Sequence, residues 1–593
     1  MLSLLSLSRR FFMTLLSRIF RSFHGRTVIG MLGLLLLLAP LAACGGGSAP
    51  TPLQSSALDL GIPTEAMNSP VVGPLPDATK LAVRVTFKID PKLLKQMNDQ
   101  KIEPGKRSHI EEFASKLGVS DSAYQKIKDF FIPTGISLKL SKLRTHLAID
   151  AKASTLAKLL QTKFVVHKYN DHTFYAPATP PKLPKAVLDS IEAITGLDNY
   201  SAPPQHAFTF TAGTQKHTRQ AAQNCQPQNQ TLLPRQVAHA YGYDQLWNKG
   251  WHGENMTVNL VEIDGFQASD IQNYFQCINF QGKLSTVDVD GAPTEALGES
   301  TLDIQMIAGL ARSINIVDYQ TDSSGNDDIW VHVNDELQQI LNDNTGNASG
   351  GSVVSISLGA AESQISSSDM RAIDQSLQQL TQAEHMTVFI ASGDCGAFTT
   401  RRYGDLSVSF PASDSSSVAV GGTLLATDRN GNRANEIVWS DGSNKSSCKN
   451  SWGSGGGNSR VFGRPSWQNA SGVSNQYSKN MRQVPDVSAV AYALAVYYQG
   501  GWGAVGGTSA AAPIWATGNA LVNQGMIQQT RKYAYGPQLF YYVYNQSNGG
   551  RSFFDVTRGN NLYFPATTSW DYSTGLGTPN LADFYNVAAT SIK

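Results

Sequence analysis

The chain has 593 residues, more than one hydrophobic core normally serves, so two folded domains plus a targeting segment is the expected plan. Its formal net charge of +1 at pH 7 removes any electrostatic case for nucleic acid or an anionic membrane surface as partner. Charged residues make up 16%, below the ~25% of an average soluble protein, a balance that suits an exported, loop-rich chain.

At the N-terminus Arg9, Arg10, Arg18, Arg21 and Arg26 precede an apolar run at 28–41. That run is short of the ~20 residues a membrane-spanning helix needs. It ends in Leu41-Ala42-Ala43-Cys44 and a Gly/Ser stretch, a pattern that resembles a bacterial lipoprotein signal. The expectation is a signal over 1–43, a lipidated Cys44 as first residue of the exported chain, and a Pro/Ser/Gly-rich tether over 44–76. An ordinary cleaved signal, or a membrane anchor with an incidental cysteine, is the alternative. Four further cysteines, Cys225, Cys277, Cys395 and Cys448, are an even number for an oxidising compartment and imply two disulfides. Sequence does not fix the pairing; Cys225–Cys277 with Cys395–Cys448 is preferred because each closes a loop of moderate length. No CxxC spacing points to zinc.

Residues 81–87 alternate like a strand and 91–99 read as a helix. Amphipathic helices follow at 110–117 and 121–131, strands at 137–140 and 146–149, a helix at 152–161 and a strand at 164–169. This is a compact α/β unit within 77–200, closed by a proline cluster. A polar, Gln- and Pro-rich stretch over 201–233 then reads as a protease-sensitive linker. From 234 to 593 the pattern becomes a large α/β domain. Strands are expected at 257–263, 315–319, 352–357, 387–391 and 417–420, and helices at 300–311, 330–342, 369–384 and from Ser509 towards Gly525. Strands alternating with helices imply a mostly parallel sheet covered on both faces.

Three segments of this domain carry candidate chemistry. In Gly506-Gly507-Thr508-Ser509-Ala510-Ala511-Ala512-Pro513 the glycines let the backbone bend before a helix, placing Ser509 at its N-terminus. Ser509 is either a nucleophile or a helix cap. The histidines after Trp251, which are His252, His332 and His385, sit in contexts that suit surface or packing roles. Glu299 and Asp303, four residues apart, share one helical face. Two carboxyls in one buried site cannot both ionise easily, so such a pair can hold or take a proton. A buried strand running into Ser392-Gly393-Asp394 puts Asp394 at a strand's C-terminal end, where open α/β sheets bind ligands. A turn aspartate bonded to its own backbone is the plain alternative.

Taken together, and with Gly421-Gly422-Thr423, Ser454-Gly455-Gly456-Gly457 and Val484-Pro485-Asp486-Val487-Ser488, these segments resemble the sedolisin family of serine-carboxyl peptidases over nearly the whole exported chain. The resemblance implies a subtilisin-like, mostly parallel sheet flanked by helices, preceded by a smaller α/β, ferredoxin-like prodomain at 77–200. It implies Ser509 as nucleophile, Glu299 as its base, Asp303 sharing a proton with Glu299, and Asp394 as a neutral acid lining the oxyanion hole. A carboxylate near pKa 4.3 is still a base in acid, where a histidine near ~6.5 is already charged. An acidic optimum follows.

Departures are also visible. Ser355-Ile356-Ser357 runs into Leu358, where kumamolisin-like members carry a Trp, and Glu262 competes with Asp264 as an extension of the acidic network. The family's calcium loop falls on Asp555, Val556, Thr567, Ser569 and Asp571, with Thr567 and Ser569 where glycine is usual. One structural calcium ion is implied, held by carboxylates and backbone carbonyls. The expected partners are polypeptide substrates and the chain's own prodomain, the mature enzyme being a monomer. A tripeptidyl exopeptidase, a non-catalytic surface-binding lipoprotein and a histidine-dependent subtilisin are the competing readings.

Overall fold

The computed structural model describes residues 55–593 apart from 101–112, 114–115, 132–135, 171, 205–210, 213–224, 226–230, 326, 345–350, 401–403, 443–444, 548–549 and 592–593. The signal segment, Cys44, much of the 201–233 linker and most of the helix expected at 110–117 lie outside the described residues.

The smaller unit begins with β1 (Lys80–Phe87), whose Leu81, Val83, Val85 and Phe87 are buried as the alternation requires. In α1 (Pro91–Asn98) Asp90 caps the start, accepting from Lys92 N at 2.9 Å with Pro91 in the first turn, and Leu94 and Met97 form the buried stripe. Then follow α2 (Asp121–Phe131), β2 (Leu138–Leu140), β3 (His146–Lys152), α3 (Ala153–Leu159), β4 (Phe164–Tyr169), β5 (His172–Pro177) and β6 (Ile191–Thr195). The strands make two antiparallel sheets, one ordered β2-β3-β1-β6 and one in which β4 lies between Val71–Pro74 and β5. The expected strand–helix unit is present. The unit also contains strands β5 and β6, which the sequence pattern does not predict because they lie beside and beyond the proline cluster.

The larger unit is built on β7 (Thr257–Glu262), α4 (Ala268–Ile278), β8 (Lys283–Asp288), α5 (Glu299–Leu310), β9 (Asn315–Gln320), α6 (Ile329–Asn344), β10 (Val353–Ile356), α7 (Ser367–Gln378), β11 (Thr387–Ala391), β12 (Val418–Thr427), β13 (Arg433–Val438), β14 (Val487–Val490), β15 (Leu494–Tyr498), β16 (Gly501–Val505) and α8 (Thr508–Thr530). One eight-stranded sheet runs β8-β9-β7-β10-β11-β12-β13, with β14 beside β12. Every pairing in it is parallel except β12 with β13. The central strands are buried on both faces, which is why they read as apolar runs rather than alternations. Helices α5 and α8 are buried almost all round, so they show no amphipathic stripe. Gly525 lets α8 press against Trp251, where a Cβ would stand 2.5 Å from the indole. Both expected disulfides, Cys225–Cys277 and Cys395–Cys448, are formed.

The two units pack as one body from Leu53 onward. Leu94, Met97 and Leu143 share an apolar cluster with Trp330, Leu337 and Leu380. Arg84, buried at the junction, bonds Asp335 on α6 at 2.6 Å and Asp150 at 3.0 Å. His146 Nε2 meets the same Asp335 at 2.8 Å. Beyond Ser201, Thr211–Ala212 adds an antiparallel strand to β16, immediately upstream of Gly507.

Candidate active site

The C-terminal ends of β7, β10 and β11 and the N-terminus of α8 converge at one edge of the sheet, where an open α/β sheet places its ligand crevice. Gly507, at φ +135°, turns the chain into α8 and leaves Ser509 in the first turn, among helix N–H groups that have no intrahelical partner. The pocket at this edge is lined by Ser357 to Ala360, by 391–396, and by Thr508 and Ser509. The Ser509 hydroxyl donates to the Ser357 carbonyl at 3.3 Å.

Beneath Ser509 lies α5. Glu299 and Asp303 are both wholly buried, one turn apart, and Ser509 is the hydroxyl beside Glu299. Burial, with the Asp303 charge adding to it, pushes the Glu299 carboxyl far above its ordinary range. Burial likewise raises Asp303, opposed by hydrogen bonds from Ser357 and Glu262. The Ser357 hydroxyl donates to Asp303 Oδ2 at 2.6 Å, with the Ser509 carbonyl 3.1 Å away. Glu262 at the end of β7 is buried and raised too, by burial first and the Asp303 charge second. Four acids crowd this spot with Asp318 of β9, so protons must be shared between them.

Asp394 stands at the opposite wall. Its Oδ1 accepts from Thr508 N at 2.7 Å and from Thr508 Oγ1 at 2.8 Å, while Gly393 N donates to that same hydroxyl at 3.0 Å. The four residues expected to carry chemistry are thus brought to one place. Ser357 and Thr508 were assigned no role from sequence. Each is a small hydroxyl residue among many, and only their position between the acids and α8 singles them out. Glu262 and Asp264 are both engaged, but differently: Glu262 joins Asp303, whereas Asp264 turns to the start of α5. No histidine lines the pocket among the described residues. His252 pairs with Arg312, His332 lies between Asp290 and Asp327, and His385 stacks on Tyr535.

The expected calcium residues lie together near the C-terminus. Asp555 Oδ2 accepts from Ser569 N and Asp571 Oδ2 from Thr567 N, each at 2.8 Å. Val556 O lies 3.5 Å from the Thr574 hydroxyl, which itself reaches Asp571. Burial, with the Asp555 charge adding, pushes Asp571 up to about 7. Two carboxylates, one of them raised by the charge of the other, beside a buried carbonyl form an all-oxygen donor set that suits a hard dication. Ser569 takes φ +69°, the left-handed conformation that glycine would adopt without strain. A separate cluster of Asp290, His332 and Asp335 contains none of these residues, and the guanidinium of Arg84 enters it.

A parallel subtilisin-like sheet, a serine at a buried helix start and a small antiparallel unit packed ahead of them define a serine peptidase of the subtilase type carrying an activation domain. Comparison with known proteins bears this out. Residues 71–200 match the pro-kumamolisin activation domain, and residues 291–534 match the subtilase family. Kumamolisin of Bacillus sp. (strain MN-32) is 27% identical over 511 residues, covering 81% of this chain and 85% of that protein. Tripeptidyl-peptidase 1 of Dictyostelium discoideum is 26% identical over 531 residues, covering 80% and 82%. The solved structure of Pseudomonas sedolisin, a serine-carboxyl proteinase complexed with two molecules of pseudo-iodotyrostatin, superposes with a TM-score of 0.52 at 26% identity over 61% of this chain and 99% of that one. The chain thus carries a pro-kumamolisin activation domain followed by a subtilase-type peptidase domain, and is similar along most of its length to the sedolisin-type serine-carboxyl peptidases.

Proposed function

We propose that the protein is an acid-active serine-carboxyl endopeptidase, made as a self-processing proenzyme. The observation that carries the reading is Ser509 lying over a buried pair of acids, with no histidine among the described residues lining the pocket. In this mechanism the Ser509 hydroxyl gives its proton to the Glu299 carboxylate while Oγ attacks the scissile carbonyl carbon. Asp303 shares a proton with Glu299 and steadies the charge change. Asp394, protonated, donates to the developing oxyanion alongside the helix N-terminus. Glu299 then returns the proton to the leaving amine as the peptide bond breaks, leaving an acyl-enzyme on Ser509. Water, deprotonated by the same Glu299, hydrolyses it.

The test is to bring purified proprotein to about pH 3–5, near carboxylate pKa values, with Ser509→Ala as control. Self-cleavage in the linker by wild type alone is expected; intact wild-type protein overturns the reading. A tripeptidyl exopeptidase is the second reading, because a matched relative bears that name. Mass spectrometry of digests separates three-residue products from internal cuts.

A calcium ion would be held by Asp555, Asp571 and the carbonyls of Val556, Thr567 and Ser569, where it would neutralise the facing carboxylates. We further propose domain boundaries at 1–43, 44–76, 77–200, 201–233 and 234–593, with 77–200 as intramolecular inhibitor. If Cys44 is lipidated, the anchor lies upstream of the cleavable linker, so activation should release a monomeric catalytic domain into the medium. Immunoblots of membrane and medium with a C-terminal tag check this; a mature enzyme that stays on the membrane overturns it.

A further inference from the structure

The start of α5 is an unusual place to leave a helix. Its N-cap is Gly298, at φ +115°, which offers no side chain, and the first turn is buried from Glu299 onward. Buried orphan N–H groups at such an end each forfeit a hydrogen bond unless something accepts from them. The acceptor comes from 34 residues upstream, at the end of β7. Asp264 Oδ2 accepts from Leu297 N and Gly298 N at 2.8 Å and from Glu299 N at 3.3 Å. Its Oδ1 accepts from Ser300 N at 3.1 Å and Ser300 Oγ at 2.8 Å, and the Ser300 hydroxyl also reaches the Asp264 carbonyl at 2.7 Å. One side chain therefore accepts from four successive backbone N–H groups at the start of the helix whose first and fifth residues are Glu299 and Asp303.

We propose that Asp264 is a positioning residue for the catalytic acids: it fixes the helix start that aims Glu299 at Ser509, and its carboxylate governs how readily the Glu299–Asp303 pair releases a proton. This rests on the reading of Ser509 and Glu299 given above. Geometry supplies the first half, since Glu299 N is itself one of the bonded groups. Electrostatics supplies the second. The Asp264 charge raises Glu299, Asp303, Glu262 and Asp318 alike, in each case as an addition to burial. The groups facing the pair are Glu262 and Asp264 from the β7 end, Asp318 from β9, Ser357 beyond β10, Asp394 beyond β11 and Ser509 from α8.

The experiment uses the full-length proprotein and reads its single-turnover self-processing rate from about pH 2 to 6. Neutral variants Asp264→Asn and Asp264→Ser each keep an oxygen able to accept from the helix. Both are expected to slow processing at least tenfold at the wild-type optimum. Both should also move the acid limb of the profile down by about one pH unit or more, since at an effective dielectric near 20 two charges couple by about 1.4 kcal/mol at about 12 Å and by more at shorter range. Asp264→Glu, which restores the charge, should return the limb to its wild-type position. Ser300→Ala, which removes only the hydroxyl's two bonds, should slow processing without moving the limb. Uniform slowing by the neutral variants with an unmoved limb assigns Asp264 to the fold alone and overturns the proposal, as does failure of both to fold by circular dichroism. Absence of processing in wild type, or its presence in Ser509→Ala, overturns the functional reading instead.

Discussion

The acids beneath Ser509 make stability itself a function of pH. Glu262, Glu299, Asp303 and Asp318 are each 1% exposed or less, and burial raises all four, Asp303 to about 8. In the unfolded chain they titrate near pH 4. A carboxyl raised by folding adds stability that is complete below its unfolded pKa and is lost as pH climbs towards the folded one. Each proton kept by the folded state and lost by the unfolded one removes about 1.4 kcal/mol per pH unit. If the cluster retains two protons, moving from pH 4 to 7 removes about 8 kcal/mol, comparable to the 5–15 kcal/mol that holds most proteins folded. The measurement is guanidinium unfolding of the Ser509→Ala proprotein, which cannot digest itself, at several points across that range. Stability should fall steeply as pH rises, and the double variant Glu262→Gln/Asp303→Asn should fall less steeply by at least about 1.4 kcal/mol per pH unit. Other buried acids, Asp328 and Asp414 among them, give both proteins a common slope, so the difference is what counts. Equal slopes would refute the shared-proton account.

Removing the Ser357 hydroxyl, which donates to Asp303 at 2.6 Å, should cost about 10- to 100-fold in kcat with KM little changed, as expected for a lost hydrogen bond to a carboxyl worth roughly 1.5–3 kcal/mol. Steady-state kinetics of Ser357→Ala check it. Chelation with EGTA should lower the Tm of the mature enzyme, and Asp571→Asn should abolish that sensitivity, because a ligand bound only by the folded state stabilises it. At the prodomain junction, Arg84→Ala leaves Asp335 buried with His146 as its remaining ion-pair partner. Stranding a buried charge costs about 3–5 kcal/mol, so the 77–200 unit should become protease-sensitive in a Ser509→Ala background.

How much of this was legible beforehand varies with the physics of each element. The central strands β7, β10 and β11 are apolar runs because both faces are covered, and such runs stand out in sequence. Likewise Glu299 and Asp303 could be paired from their spacing alone, since four residues make one helical turn. The junction was not legible. Arg84 meets Asp335 across 251 residues, and no local pattern signals a contact of that separation. Asp264 was likewise ambiguous, because a capping acid and a network acid at the end of a strand look identical until the helix they face is placed. Ser357 and Thr508 stood inside motif segments, but nothing local to them told which atom each would bond.

The central claim is that a carboxylate, and not an imidazole, is the base for Ser509. The pH–rate profile of peptide hydrolysis by the matured enzyme tests it most directly, with Glu299→Gln measured beside wild type. The account predicts a rate controlled by the first proton that the Glu299–Asp303 cluster gives up, a dependence that a folded Glu299→Gln abolishes together with a loss of about 10³-fold or more. A limb that survives unchanged in Glu299→Gln, or a Glu299→Gln enzyme of undiminished activity, would contradict it.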